Sequence, residues 1–266
     1  ILDKENGYLT LLSTATRRPI DIVEISCPGA RDAMFNMDDS KIFTTCQQEP
    51  KGMAVIDVEA RREIKMVPIK GGRAGGMDPQ GKYFMVSASK SVHFFDSQTA
   101  ELVKTIKVPG GGGNFTCLKD GSKCYVGLRK ANAVGVIDMA KLELMKTIET
   151  GPDANRLYLN PGNSRYGLFA NEAGKSDIVS IIDTQLDVKV KDIWTGLGPH
   201  NVAFDPDGKF AVISTKKENV ATLVDTGSAD PNDWDVITTD LDSGIQNNGV
   251  RWVPSPAALK KALAQN

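Results

Sequence analysis

A strand-ending aspartate recurs along this 266-residue chain at a nearly constant spacing. It follows short apolar runs in segments such as AVID, GVID, SIID and TLVD. The five copies, separated by 39, 42, 45 and 42 residues, are Asp57, Asp96, Asp138, Asp183 and Asp225. A degenerate sixth copy, LTLLSTATRRPIDI, places Ser13 at this position, 44 residues before the first aspartate. A repeat of this length is one supersecondary unit that must stack on its neighbours to bury its apolar face.

Each repeat is predicted to contain four short antiparallel strands. Turn sequences recur in step with the aspartates, as NMDDSK (36–41), DPQGK (78–82), KDGSK (119–123), NPGNSR (160–165) and DPDGK (205–209). Segments such as KIFTT, KYFMVS and KFAVIS follow these turns and are rich in β-branched and aromatic residues, which favour strands. No repeat carries a 3.6-residue apolar pattern, so a helical solenoid is excluded. The period and the strand count predict an all-β fold, a β-propeller.

The two ends of the chain are predicted to share one blade. Aligned on the repeat, the first segment supplies three strands, and NNGVRWVPSP (247–256) supplies the innermost one. Such a composite blade closes the ring and removes exposed sheet edges. We therefore predict one propeller domain over 1–254 with six four-stranded blades, or seven if the chain is trimmed. A short helix is predicted over 255–266, with Leu259 and Leu263 on one face.

Composition excludes several classes of function. The net charge is −1, and 24% of the residues are charged, so no basic excess indicates a nucleic-acid partner. No apolar run approaches the roughly 18 residues of a membrane span. The two histidines and four cysteines form no metal-ligand spacing such as CxxC. The sequence begins with ILDKENG and has no basic or apolar leader, so we expect that any signal peptide has been removed.

One repeat carries a family resemblance. GLGPHNVAFDPDGKFAVISTKKENVATLVDT (196–226) resembles the YVTN-repeat propellers of bacteria and archaea. The resemblance extends to about residue 254, more weakly elsewhere, because FNMDDSK lacks the glycine and KDGSK lacks the proline. It implies an exported protein, periplasmic or extracellular. Related propellers include lactonase-like enzymes, amine-dehydrogenase-type subunits and the haem-d1 domain of nitrite reductase. Members are commonly seven-bladed, so six blades depart from the pattern.

The candidate site is the mouth of the predicted central channel. The loop leading into the innermost strand of each blade borders this channel, where a rigid ring brings short loops together. Alignment on the turns assigns to it Arg31, Arg73, Asn114, Asn155, Arg156, His200, Asn201 and Asn248. Arginine binds carboxylate or phosphate through two parallel hydrogen bonds, which predicts an anionic ligand or an acidic protein loop. The alternative is a solvated polar rim without a ligand, and His200 alone favours a loop residue.

The sequence predicts no catalytic residue, metal or cofactor. Histidines and carboxylates do not converge on the rim, and Asp32 among neighbouring amides and arginines is a poor Ca²⁺ site. We therefore expect a non-catalytic binding or scaffold propeller. Its partner would be a protein, such as a cytochrome or another subunit of a periplasmic redox complex, or a small anionic ligand. The alternative is an enzyme, either a haem-carrying oxidoreductase of the d1 type, with His200 as axial candidate, or a lactonase-like hydrolase.

The four cysteines leave two possibilities open. Cys117 and Cys124 straddle a predicted Asp-Gly turn, where a cross-strand disulfide is conceivable, and Cys27 and Cys46 flank the first hairpin. Buried free thiols are the competing interpretation. An even number of cysteines is compatible with an oxidising compartment.

Overall fold

The protein is described by a computed structural model covering residues 1–3, 5–27, 29–172, 174, 176–218 and 220–242. Within these ranges the chain forms 23 β-strands and two short 3-10 helices, at Arg129–Ala131 and Pro231–Asp233. The strands form six antiparallel sheets, in each of which neighbours in sequence are neighbours in the sheet. The prediction of an all-β fold built from up-and-down sheets is confirmed.

The sheets follow one another along the chain. The first contains β1 (Leu2–Asp3), β2 (Tyr8–Leu12) and β3 (Pro19–Glu24). The second contains β4 (Ala30–Phe35), β5 (Lys41–Cys46), β6 (Gly52–Asp57) and β7 (Arg62–Pro68). The third contains β8 (Ala74–Met77), β9 (Tyr83–Ser87), β10 (Ser91–Asp96) and β11 (Leu102–Lys107). The fourth contains β12 (Phe115–Cys117), β13 (Lys123–Leu128), β14 (Ala133–Asp138) and β15 (Glu143–Glu149). The fifth contains β16 (Ala154–Leu159), β17 (Tyr166–Asn171), β18 (Ile178–Asp183) and β19 (Val188–Trp194). The sixth contains β20 (Pro199–Phe204), β21 (Phe210–Thr215), β22 (Val220–Asp225) and β23 (Asp235–Asp242).

These sheets are the six blades of a β-propeller. Five have four strands, and the first has the three strands expected from the N-terminal segment. The fourth strand of that blade, predicted within 247–254, lies outside the described residues, as does the helix predicted over 255–266.

The repeating aspartate organises the turn between the third and fourth strands of a blade. The carboxylate of Asp96 accepts hydrogen bonds from the backbone N–H groups of Gln98 and Thr99, at 2.9 and 2.8 Å. Ala100, four residues after this aspartate, adopts a left-handed φ of 57°. Left-handed residues also stand four positions after the repeat residue in other blades, at Arg17, Arg61, Leu142 and Asp187. The sequence period is therefore the period of an Asx-turn.

The chain divides into two compact units, 1–157 and 158–266, and the division falls within β16. In the first unit, apolar side chains of neighbouring blades form clusters, such as the one in which Phe43 and Phe84 stack with ring centroids 5.0 Å apart. In the second unit, one cluster surrounds the buried Trp234, whose ring meets Tyr166 edge-on at 6.0 Å. The prediction of a single domain over 1–254 stays a prediction.

All four cysteines form disulfides. Cys27 bonds to Cys46, 19 residues away at the end of β5. Cys117 bonds to Cys124, its cross-strand neighbour, 7 residues away on the hairpin of β12 and β13. Of the two possibilities that the sequence left open, the structure contains the paired one. In the part of the chain described, no helix is long and apolar enough to cross a membrane.

Candidate functional site

Two arginines of the predicted rim are held side by side in the first unit. Arg31 is the second residue of β4, and Arg73 immediately precedes β8. The hydroxyl of Thr45 lies within hydrogen-bond distance of both their carbonyl oxygens, at 3.1 Å from that of Arg31 and 3.4 Å from that of Arg73. Gln47 also donates to the carbonyl of Arg73, at 3.0 Å. One short segment of the second blade therefore fixes the backbone of both arginines, and both side chains are half-buried.

Asp32 binds both Arg31 and the backbone of the neighbouring blade. Its Oδ1 lies 3.3 Å from Nε of Arg31, and its Oδ2 accepts a hydrogen bond from the backbone N–H of Gly75 at 3.2 Å. The residue has a left-handed φ of 57°, which turns its side chain toward the neighbouring blade. Both carboxylate oxygens thus have partners, one of them a cation. This arrangement opposes a Ca²⁺ site at Asp32.

Asn114 and Asn155 meet in the first unit as a buried amide pair. The backbone N–H of Asn114 donates to the carbonyl of Asn155 at 2.9 Å, and its side-chain Nδ2 donates to the Asn155 Oδ1 at 3.0 Å. The same Oδ1 accepts a hydrogen bond from Arg129 at 3.1 Å, and Arg129 is ion-paired with Asp153. A Cβ on Gly127 would lie 2.2 Å from the Asn155 carbonyl, so only glycine permits this approach. Both amides hold neighbouring blades together.

The glycine-rich loop PGGGG (109–113) lies between Arg73 of the arginine pair and Asn114 of the amide pair in the sequence. A Cβ on Gly112, which has a φ of 91°, would lie 3.4 Å from Cδ of Arg73. An arginine side chain therefore partly covers this loop. Arg156 follows the amide pair and is exposed. The structure brings Arg31, Arg73, Asn114 and Asn155 together along one side of the first unit, and we call these four residues with Arg156 the arginine arc.

His200 belongs to a hydrogen-bonded chain in the second unit. The Tyr158 hydroxyl donates to Oδ1 of Asn201 at 2.5 Å, and Nδ2 of Asn201 lies 2.9 Å from Nδ1 of His200. On the other side of the ring, Nε2 of His200 lies 3.2 Å from Oε1 of Glu172, which also binds Lys216. If Asn201 donates to Nδ1, the ring proton sits on Nε2 and points at the carboxylate. This chain orients the imidazole and places a partner beside each ring nitrogen.

Glu172 and Lys216 were missed by the sequence analysis, although a periodic signal marks them. Each is the first residue after the second strand of its blade, as Arg129 is in the fourth blade. Gln47, which holds the carbonyl of Arg73, occupies the same position in the second blade. In three blades this position contacts a residue of the predicted rim in the next blade, because Gln47 binds Arg73, Arg129 binds Asn155 and Glu172 lies beside His200. Aligning on strand ends, rather than on turns, would have found it.

The remaining predicted residues contribute less. Asn248 lies outside the described residues. His93, which is not a predicted rim residue, lies on β10, the third strand of its blade, where its ring contacts Ser91 and Thr105 at 2.9 and 3.0 Å. Burial lowers the pKa of His93. Among the described residues, no three His, Cys, Asp or Glu side chains converge to hold a metal.

Two buried polar atoms in the described ranges have no hydrogen-bond partner. They are Oδ1 of Asn171 and Oγ of Ser176, which lie at either end of the connection from β17 toward β18. Buried polar groups are normally satisfied, so each such atom invites a physical explanation, such as an ordered water. The connection begins beside Glu172, which places both atoms in the segment that carries the carboxylate of the His200 chain.

The six sheets form a β-propeller, and the arginine arc lies within its first unit. No family model matches the chain, and no curated protein sequence matches it. Hydrazine synthase from Kuenenia stuttgartiensis matches with a TM-score of 0.68 and 16% identity, over 95% of this chain and 84% of that chain. A putative 6-phosphogluconolactonase from Bacteroides fragilis matches with a TM-score of 0.70 and 17% identity, over 91% and 78%. A protein described as functionally unknown from Desulfotomaculum acetoxidans matches with a TM-score of 0.69 and 12% identity, over 90% and 78%. At these identities the likeness shows the fold.

Proposed function

We propose that this chain is a binding propeller of the YVTN-repeat type, which holds an anionic ligand or an acidic protein loop at its arginine arc. The observation that carries the proposal is the placement of Arg31 and Arg73 on neighbouring blades, with their backbones fixed by the hydroxyl of Thr45. Arginine binds carboxylate or phosphate through paired donors, and a fixed backbone reduces the conformational entropy lost on binding.

The amide pair of the arc acts as a frame in this proposal. Asn114 and Asn155 are buried and bonded to each other, so they position the loop rather than meet the ligand. Asp32 neutralises part of the charge on Arg31, which favours recognition by geometry over non-specific attraction to anions. The His200 chain of the second unit orients its histidine in the same way, and supports a structural role for that residue.

We further propose that the protein is exported to the periplasm or the cell exterior, where a partner such as a cytochrome or another subunit of a redox complex docks on it. Two disulfides support an oxidising compartment. Fractionation of the native host, with probing of each compartment for this chain, tests the location.

Calorimetry with citrate at low ionic strength tests the arginine arc. The variant Arg31→Gln/Arg73→Gln is expected to weaken citrate binding at least about tenfold, because each charge-assisted hydrogen bond contributes about 1.5–3 kcal/mol. The matched control is Arg17→Gln/Arg18→Gln, which removes two exposed arginines from the turn between β2 and β3. Equal losses in both variants, or citrate affinity that neither changes, would contradict the placement of the site.

A catalytic role is the alternative, because the fold is shared with hydrazine synthase and a putative 6-phosphogluconolactonase. Both ring nitrogens of His200 have partners, which disfavours that residue as a general base or as a haem ligand. The visible absorption spectrum of protein purified from its native host, together with an assay of lactone hydrolysis, decides between the two roles. A haem absorption band would contradict the binding role and favour an oxidoreductase. Lactone hydrolysis that is lost in Arg31→Gln/Arg73→Gln would favour a hydrolase.

A further inference from the structure

An apolar cavity lies in the first unit, away from the arginine arc. Its volume is about 490 Å³, which falls within the range of small-molecule sites. It is bordered by the ends of β2 and β4 and by the turn between β6 and β7. Phe35 is the last residue of β4, whereas Arg31 lies near the start of the same strand. The cavity is therefore a second concave surface of the same unit.

The lining combines a buried floor with exposed apolar walls. Leu9 and Ile42 form the floor and are almost fully buried. Leu12, Ile20 and Phe35 line the walls, and between 42% and 51% of each residue is exposed. Single exposed apolar residues are ordinary on protein surfaces, but a contiguous set around a cavity of this size marks a binding surface. Burial of these three walls by a ligand supplies a hydrophobic driving force.

The lining of the cavity also contains a cationic side chain. Arg61 lines the cavity and lies at the turn between β6 and β7, with a left-handed φ of 52°. Its Nη1 lies 3.6 Å from Oδ2 of Asp21, and about half of each side chain is exposed. This contact is longer than a charge-assisted hydrogen bond, which normally spans about 2.7–2.9 Å. An entering carboxylate can therefore take the guanidinium as its partner while Asp21 remains hydrated.

We propose that this cavity binds a single-chain carboxylate of medium length, with the acyl chain against Leu12, Ile20 and Phe35 and the carboxylate at Arg61. The apolar lining and the volume select a linear hydrocarbon, and the guanidinium at the border selects an anionic head over a neutral one. This site is separate from the arginine arc, so its presence does not depend on the function proposed there.

Titration of the full chain with decanoate, below its micelle concentration, tests the proposal by calorimetry. Wild-type protein is expected to bind one decanoate saturably, and decanol at least about tenfold more weakly. Arg61→Gln should weaken decanoate binding by a similar factor and leave decanol binding unchanged. Arg62→Gln is the matched control, because this neighbouring arginine is exposed and does not line the cavity. Ala33→Trp, which places an indole into the cavity, should abolish the binding of both ligands.

The following results would overturn the proposal. They are an absence of saturable decanoate binding, decanol bound as tightly as decanoate, and equal losses in Arg61→Gln and Arg62→Gln. A dimer that Ala33→Trp dissociates would assign the cavity to a second copy of the chain instead. The thermal melting temperature of each variant, measured alongside, shows that it is folded. If Ala33→Trp does not fold, Ala33→Leu fills less of the cavity and should still weaken decanoate binding at least several-fold.

Discussion

Asp78 begins the turn between the first and second strands of its blade, where some other blades have asparagine. Its backbone N–H donates to the carbonyl of Tyr83, and its carboxylate accepts from the N–H groups of Lys82 and Tyr83, at 2.8 and 3.3 Å. Asn36 and Asn160 accept backbone hydrogen bonds at the corresponding turns of the second and fifth blades, but through neutral amides. Burial raises the pKa of Asp78, and these backbone hydrogen bonds only partly oppose it. Burial at this turn therefore disfavours the charged form of Asp78 relative to its form in water.

Replacement of Asp78 by Asn should stabilise the fold near neutral pH. A carboxyl whose pKa is raised by folding costs stability once the pH exceeds its pKa in the unfolded chain, and the cost is complete above its folded pKa. An amide never ionises, so the gain should disappear below the ordinary aspartate pKa of 3.8. We expect the melting temperature to rise by about 1–3 °C near neutral pH, measured by circular dichroism.

Asp207→Asn is the control for that change, since it removes one charge from an exposed turn residue. A gain of the same size in the control would attribute the effect to net charge. A loss at neutral pH in Asp78→Asn would mean that the second accepted hydrogen bond outweighs the cost of burying the charge.

At the scale of strands and blades, local chemistry carried most of the prediction. The turns after the first strand were predicted from their recurring Asp-, Asn- and Gly-rich sequences, and Gly81, Gly121 and Gly208 have positive φ there. Asp39 takes the same left-handed conformation, with a φ of 58°, in the blade whose turn lacks glycine. Turn type depends on a few adjacent residues, so a single sequence reveals it.

The side-chain partners in the candidate site were less accessible to sequence. The turns aligned Arg31 and Arg73 as equivalent positions, but their shared contact with Thr45 depends on how two blades pack. Likewise, Glu172 reaches His200 from a different blade of the second unit, 28 residues away in sequence. Periodicity predicts which positions face the same way, whereas the pairing of side chains depends on rotamers and tertiary distance.

The sixth blade offers a test of what holds its outer strand. Trp234, just before β23, is 1% exposed, and its ring N–H donates to the carbonyl of Ser228 at 2.9 Å. Trp234→Ala should cost about 3–5 kcal/mol in the free energy of unfolding, because it leaves a large cavity in the second unit's core. Trp194, on β19, is 68% exposed, and Trp194→Ala should cost less than about 1 kcal/mol.

Urea unfolding followed by far-ultraviolet circular dichroism measures both tryptophan variants without relying on tryptophan emission. Trp234→Phe separates packing from hydrogen bonding, since it keeps an aromatic ring beside Tyr166 and leaves the Ser228 carbonyl without its donor. Comparable losses at Trp194 and Trp234 would mean that the packing of the sixth blade does not depend on the buried indole.

For the molecule as a whole, stability rests on repeated antiparallel sheets, to which two disulfides add covalent constraints. The five four-stranded blades bury most of their middle strands, and within each blade the paired strands are adjacent in sequence. The two disulfides add constraints of different length, 19 residues for Cys27–Cys46 and 7 residues for Cys117–Cys124. In the chain-entropy description, such loops contribute roughly 3 and roughly 2 kcal/mol, against a typical total stability of about 5–15 kcal/mol.

Reduction should therefore lower the stability of the whole protein, and unequally for its two bridges. Cys27→Ala/Cys46→Ala should lose about 1 kcal/mol more than Cys117→Ala/Cys124→Ala, since the longer loop restricts the unfolded chain more. Thiol titration in denaturant should find no free thiols before reduction and four after it. Thermal melts of the two double variants, with and without reductant, separate the bridges, because each variant retains one reducible bond. If reductant left the melting temperature unchanged, blade packing alone would hold the fold. The disulfides would then no longer support an exported location.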